Sequence, residues 1–316
     1  MKGYMKITAV LVFLFFGFCL VHAQEADSEW DILNQEIMDL YQQGEYDSAI
    51  VVARKALEIA NRNVGPEHPD VATSLNNLAM LYDVKGDFAK AEPLYTRSLA
   101  IWEKALGPEH PVVATGLNNL AMLYNTQGNY EKAELLFSRA LAIREKALGP
   151  DHPNVATILN NLAGLYDVQG NFERAEPLFK RSLAIWEKVL GPDHPAVATD
   201  LYNLAMLYAL QGDYAKAEPL FTRALAIKEK TLGPEHPDVA TDLSNLAGMY
   251  AFQGDFAKAE PLFKRSLAIW EKTLGPDHPN VANSLEALAG LYRATEREKE
   301  AGELEVQAAR IRAIKR

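Results

Sequence analysis

The sequence of 316 residues has very little cysteine and none of the common catalytic motifs. Its one cysteine, Cys19, lies in an apolar segment near the N-terminus, so the rest of the chain has no thiol for a disulfide, a nucleophile or a zinc ligand. Glycine-rich phosphate loops, a His-Glu-x-x-His pair and a Gly-x-Ser-x-Gly turn are also missing. We therefore predict a protein that is not an enzyme, with no catalytic residue, no cofactor and no metal site.

Basic residues are fewer than acidic residues. Lys and Arg together number 32, Asp and Glu number 42, and the net charge is −10. An acidic surface repels phosphate backbones, so we do not expect nucleic acid to be a partner. Hydrophobic residues make up 48% of the chain and charged residues 23%, a balance that predicts a folded protein rather than a disordered one.

Long hydrophobic runs are absent except at the N-terminus. Two lysines precede an uncharged stretch, residues 7–21, which is shorter than the ~20 residues that a membrane-spanning helix needs. Small residues up to Ala23 favour signal-peptidase cleavage before Gln24. We predict a secretory signal at residues 1–23, export to the periplasm or the medium, and no transmembrane span in the mature chain. An uncleaved membrane anchor is the alternative.

The remaining sequence is a repeat of 42 residues. The pair His-Pro recurs at this interval six times, beginning at His68, His110, His152, His194, His236 and His278. Histidines that occur once per repeat are too far apart to share one metal ion, so we expect them to shape the loops between repeats.

One repeat reads as two helices joined by a turn. From Pro69 onward, apolar residues recur at intervals of three and four, which indicates one face of an α-helix. Gly86 interrupts this pattern, Asp87 is placed to cap a second helix, and Gly107 ends that helix. A single hairpin of this kind cannot bury its apolar face, whereas stacked copies can.

The predicted fold is therefore all-α, a right-handed α-solenoid of about seven helix-turn-helix repeats with two divergent terminal repeats. We place a divergent N-terminal unit at residues 24–64, five regular units at 65–278 and a capping unit at 279–316. On the second helices, Glu92 and its copies are expected to be solvated. Trp102 and its copies alternate with Arg144 and Lys228, and we expect this alternating position to pack between repeats.

The pattern Leu75-x-x-Leu78-Ala79-x-x-Tyr82, followed by Ala91 and Tyr95, resembles the tetratricopeptide repeat. The segment Leu141-Ala142-Ile143-Arg144-Glu145-Lys146-Ala147-Leu148-Gly149-Pro150-Asp151-His152-Pro153 is similar to the repeats of kinesin light chains. This resemblance implies a scaffold whose first helices line a concave groove that binds partner peptides. The signal segment and the lack of a heptad coiled coil set the chain apart from a motor subunit.

One stripe of each first helix is the predicted partner-binding surface, because the resemblance places it in the groove. Its candidate residues are Asn76, Asn118, Asn160, Tyr202, Ser244, Asp83, Asn125 and Asp167. Amides can pair with a peptide backbone, while Leu210, Ala251 and Phe252 could form apolar pockets. Acidic residues on the stripe favour a neutral or basic partner over an acidic one. The alternative is a solvated helix face that was copied by duplication.

A second column of amides has a different predicted role. By resemblance these residues hold one repeat to the next through backbone hydrogen bonds, and they are Asn77, Asn119, Asn161, Asn203 and Asn245. The leading functional prediction is an exported scaffold that binds proteins. A self-associating structural array and, less favoured, a small-ligand binder are the alternatives.

Overall fold

The computed structural model describes residues 28–314, which form fourteen α-helices with no strand among them. The helices are α1 (Glu29–Gln42), α2 (Tyr46–Val64), α3 (Pro69–Val84), α4 (Phe88–Leu106), α5 (Pro111–Thr126), α6 (Tyr130–Leu148), α7 (Pro153–Val168), α8 (Phe172–Leu190), α9 (Pro195–Leu210), α10 (Tyr214–Leu232), α11 (Pro237–Phe252), α12 (Phe256–Leu274), α13 (Pro279–Ala294) and α14 (Glu298–Ile314). The predicted signal at residues 1–23 lies outside the described residues.

The described chain divides into two compact units, residues 28–170 with α1–α7 and residues 171–314 with α8–α14. In the N-terminal unit, α1, α3 and α5 each pair with the helix that follows, and each second helix also packs on the next first helix. In the C-terminal unit the pairs are α9–α10, α11–α12 and α13–α14, with the same packing between successive pairs. This nearest-neighbour packing of helical hairpins confirms the predicted all-α solenoid of about seven repeats.

The histidines cap the first helices at their N-termini. In α5, the Nδ1 atom of His110 accepts a hydrogen bond of 3.2 Å from the backbone N–H of Val112, and Pro111 fills the first helical position. The other five His-Pro pairs have the same geometry in α3, α7, α9, α11 and α13. Each imidazole therefore satisfies one of the unpaired N–H groups at a helix start.

Glycine ends the second helices because the chain there needs a backbone conformation that other residues rarely adopt. Gly107 has a φ of 91° at the end of α4, and Gly86 has a φ of 78° in the turn between α3 and α4. Asp87 precedes α4 at the N-cap position, but its side chain does not bond to the helix backbone, so the predicted side-chain cap does not form there. The predicted cap does form at Asp213 and Asp255.

Glutamates on the second helices remain partly exposed, but they are also hydrogen bonded between repeats, which the expectation of simple solvation did not include. Tyr124 on α5 donates its hydroxyl hydrogen to Glu92 on α4, at 3.0 Å. Equivalent bonds join Tyr166 to Glu134, Tyr208 to Glu176, Tyr250 to Glu218 and Tyr292 to Glu260. Each tyrosine comes from the first helix of the next repeat. The sequence analysis looked only for a second acidic residue near each glutamate, so it could not identify this partner.

The alternating position on the second helices packs between repeats, as predicted. Trp102 on α4 lies so close to Gly116 on α5 that a Cβ added at Gly116 would be 3.1 Å from the indole ring. Lys228 on α10 occupies the same position and forms a 2.8 Å ion pair with the buried Asp242 on α11. In both cases the side chain faces the residue fourteen positions further along, on the first helix of the next repeat.

Candidate partner-binding surface

The predicted stripe is only partly accessible in the N-terminal unit. Asn118 and Asn125 on α5 are half-buried, as are Asp83 on α3 and Asn160 on α7. Asn76 and Asp167 are buried. The stripe therefore offers a mixture of open polar groups and groups that are committed to packing.

The two amide columns are hydrogen bonded to each other. The Nδ2 group of Asn119 donates to Oδ1 of Asn76 at 3.0 Å, and Asn161 donates in the same way to Asn118. Asn77 makes the equivalent bond to Asn34 on α1. The side-chain oxygens of Asn76 and Asn118 are thus used by the next repeat, and only the remaining hydrogen-bonding capacity of these amides is available to a partner. The bonds join two side chains, whereas the resemblance predicted bonds to the backbone.

Three polar residues at the C-terminal ends of α3, α5 and α7 lie in poorly solvated surroundings. Burial raises the pKa of the Asp83 carboxyl to about 6, and it does the same for Asp167. One side-chain oxygen of Asn125 and one of Asp167 are buried and have no hydrogen-bond partner among the described residues.

In the C-terminal unit, Tyr202 on α9 is fixed by its neighbours. Its hydroxyl accepts a 2.6 Å hydrogen bond from Asn245 on α11, and its ring meets Phe221 edge-on at 5.7 Å between centroids. The Nζ atom of Lys228 lies 5.2 Å from the centre of the same ring. Burial raises the pKa of the Tyr202 hydroxyl, so this residue is a rigid and neutral part of the surface.

The other stripe positions of this unit are more open. Ser244 on α11 is half-buried, and Asn203 occupies the second amide column of α9. Leu210 at the end of α9 is 56% exposed, and Phe252 at the equivalent position of α11 is 82% exposed. Two large apolar side chains at the same place in consecutive repeats make this the most accessible apolar part of the stripe.

Sequence reasoning missed two buried carboxylates on the side of the first helices that faces the preceding repeat. Asp200 on α9 is 2% exposed, and burial raises its pKa to about 7 although the hydroxyl of Ser182 bonds to it. Burial also raises the pKa of Asp242 to about 6, against the lowering effect of Lys228. The only signal of buried charge in the sequence was the opposite charge of Lys228 and Asp242. Their spacing of fourteen residues can be interpreted only once the packing of one repeat on the next is known.

Over residues 28–314, no helix is both long enough and apolar enough to cross a membrane. The same residues contain no group of three or more His, Cys, Asp or Glu side chains that could hold a metal ion.

Comparisons with known proteins agree with the packing of these helices. The tetratricopeptide repeat family profile matches residues 31–91, 84–146, 114–184, 168–230, 201–265 and 238–313, and it indicates no catalytic family. A search of curated proteins found no match.

Solved structures give more detail on the type of repeat. A kinesin light chain protein of Podosopora anserina with nearly identical TPR-like repeats is 32% identical, covering 66% of this chain and 99% of its own, with a TM-score of 0.59. The protein BtubC (BKLC) of P. vanneervenii is 29% identical over 79% of this chain and 94% of its own, with a TM-score of 0.60.

A Rap protein in complex with Competence and Sporulation Factor is 16% identical, covers 90% of this chain and 75% of its own, and has a TM-score of 0.64, which shows a shared fold alone. The profile matches extend over most of the chain, and the more similar structures carry kinesin light chain repeats. The chain therefore belongs to the tetratricopeptide repeat family, with repeats of the kinesin light chain-like type.

Proposed function

We propose that this protein is an exported, non-enzymatic scaffold that binds peptide segments of partner proteins along the stripe of its first helices. Family membership supports a role in protein interaction. The observation that carries the proposal is the exposure of Phe252 and Leu210, at 82% and 56%, on consecutive first helices whose other large apolar residues are mostly buried. Exposed aromatic side chains at such a position are typical anchors for a partner.

The charges on the stripe favour a neutral or basic peptide over an acidic one. Asp83 and Asp167 contribute acidic groups in the N-terminal unit. The cation at the equivalent position of α13, Arg293, is already engaged by Glu305 through two bonds of 2.8 and 2.7 Å and by Glu298 at 2.7 Å. An acidic peptide would therefore meet repulsion without a ready counter-charge, and the same argument disfavours nucleic acid.

Truncating the two exposed apolar residues should weaken peptide binding. We would select short peptides on the wild-type protein and measure their affinity for the Leu210→Ser/Phe252→Ser variant by fluorescence anisotropy. We expect a loss of at least about tenfold, since removing an aromatic anchor costs roughly 2 kcal/mol or more.

The matched control is Val306→Ser, which truncates a side chain of α14 that is equally exposed and lies away from the stripe. Selection of no peptide, or equal affinities for all three proteins, would contradict binding at this surface. Asn118→Ala tests the amide column separately, but it also removes the acceptor of Asn161, so its unfolding must be measured alongside.

Export is the second testable part of the proposal. Expression of the complete sequence in a bacterial host should yield a protein in the envelope fraction whose first residue is Gln24, as measured by mass spectrometry of the intact chain. A protein that keeps residues 1–23 in the membrane fraction would support the anchor instead, and a full-length protein in the cytosol would refute export.

A further inference from the structure

The first helix of the N-terminal unit exposes a residue that its counterparts bury. Ile32 on α1 occupies the position of Ser74 on α3, Gly116 on α5 and Ile158 on α7. In α5 this position lies against Trp102 of the preceding second helix. Ile32 is 56% exposed, whereas Ser74 and Ile158 are buried. The surface of α1 around Ile32 thus corresponds to the surface that α3, α5 and α7 pack against the preceding repeat.

The last helix pair of the C-terminal unit has the complementary surface. An open cavity of about 530 Å³ is lined by Glu286 on α13 and by Glu305, Ala308, Ala309, Arg312 and Ala313 on α14. Ala309 and Arg312 occupy the positions of Leu99 and Trp102, the two side chains that lie against Gly116 in the next repeat. The α13–α14 surface lining this cavity, which we call the end seat, therefore corresponds to the place where a further first helix would pack.

The register of the repeats pairs these two surfaces residue by residue. Within the chain, an amide donates to the residue forty-three positions earlier, as Asn119 does to Asn76. Gln35 on α1 occupies the same repeat position as the donor Asn119, and Glu286 in the end seat occupies the same repeat position as the acceptor Asn76. Within the chain, a residue of a second helix faces the residue fourteen positions later on the next first helix. If α1 of another copy followed the last repeat, the same spacing would place Ile32 opposite Arg312, and the same two residue types occur at Ile158 and Arg144.

The charges of the two helices are also complementary. Helix α1 contains four acidic residues, Glu29, Asp31, Glu36 and Asp39, and no basic residue. The second half of α14 contains Arg310 and Arg312 and no acidic residue, and Lys315 and Arg316 follow in the sequence. The end seat also holds Glu286 and Glu305, but Arg312 bonds to Glu286 and Arg293 bonds to Glu305 within the chain. Complementary charge of this kind increases the rate of encounter and fixes the orientation of a complex.

We infer that α1 of a second copy of this chain docks in the end seat of the first copy, around Ile32 and Ala309, and continues the stacking of repeats between molecules. Such a contact joins two different surfaces, so it is heterologous and each copy retains one unused surface of each kind. It is distinct from peptide binding on the stripe, because Phe252 and Leu210 take no part in it.

Self-association measured by light scattering and sedimentation velocity tests this inference. At low ionic strength the purified protein should gain mass as its concentration rises from micromolar to millimolar, and added salt should reverse the gain. Ile32→Ser truncates the apolar side chain of the contact, and Ala309→Glu places a carboxylate against the acidic helix α1, so we expect each to weaken self-association at least about tenfold.

Mixing the two variants distinguishes this contact from any other. Ile32→Ser retains an intact end seat and Ala309→Glu retains an intact α1, so their equimolar mixture should form a heterodimer and stop there. Val51→Ser and Val306→Glu are the matched controls, because both side chains are exposed and lie outside the contact. A wild-type protein that stays monomeric throughout, or variants that fail to form the heterodimer while circular dichroism shows them folded, would overturn the inference.

Discussion

Replacing Lys228 by methionine should destabilise the C-terminal unit by ~3–5 kcal/mol at pH 8, because it leaves the buried carboxylate of Asp242 without its partner. The ion pair is 2.8 Å long, and both side chains are largely removed from solvent. Burial already raises the pKa of Asp242 to about 6, and loss of Lys228 should raise it further. The carboxyl can then become neutral by binding a proton, so we expect a smaller loss of stability at pH 5 than at pH 8.

Urea denaturation at the two pH values measures this effect, and hydrogen exchange should show faster opening of α9–α12 than of α1–α6. Lys230→Met is the matched control, since Lys230 lies on the same helix in an exposed pair with Asp193, and it should leave stability nearly unchanged. The double variant Lys228→Met/Asp242→Leu should recover most of the loss, because an apolar pair can replace a buried ion pair. A Lys228→Met variant as stable as the wild type at both pH values would contradict this account.

Much of the fold could be predicted because particular residues in each repeat mark where its helices begin and end. Proline is tolerated at the first helical position and glycine where φ is positive, so Pro111 and Gly107 mark a helix start and a helix end in the sequence alone. The apolar periodicity between them then requires stacking, since one hairpin cannot bury it. The role of His110 could be predicted only in part. The spacing of 42 residues between histidines excluded a shared metal site, but it did not identify the hydrogen bond from Val112 that makes His110 a helix cap.

The surface was harder to predict, since its chemistry depends on which side chains of neighbouring repeats meet. Asn76 is a free amide when one helix is considered alone, yet Asn119 of the next repeat uses its oxygen. Glu92 lacks an acidic partner in sequence, yet Tyr124 of the next repeat bonds to it. Both partners become visible only when the register between repeats is known. That register also buries Asp200, an acid to which the sequence alone gave no special role.

Asp200 makes stability depend on pH in the opposite sense to an ordinary surface carboxylate. It is 2% exposed, its Oδ2 atom has no hydrogen-bond partner among the described residues, and burial raises its pKa from 3.8 to about 7. The folded state therefore binds this proton more tightly than the unfolded state does. Stability from this group is complete below about pH 4 and is lost as the pH rises through 7. Asp83, Asp167 and Asp242, with pKa values raised to about 6, act in the same direction.

Asp200→Asn should remove most of this dependence, because asparagine keeps the shape of the protonated acid and carries no charge. At about 1.4 kcal/mol per pKa unit, the wild type should gain ~2–3 kcal/mol from Asp200 between pH 8 and pH 5. The variant should therefore be more stable than the wild type at pH 8 and lose that advantage at pH 5, where its extra amide hydrogen is buried without a partner. Thermal and urea unfolding across this range measure the difference, and the exposed Asp277→Asn should retain the wild-type profile. An Asp200→Asn profile parallel to that of the wild type would show that the carboxyl is solvated and ionised in the folded protein.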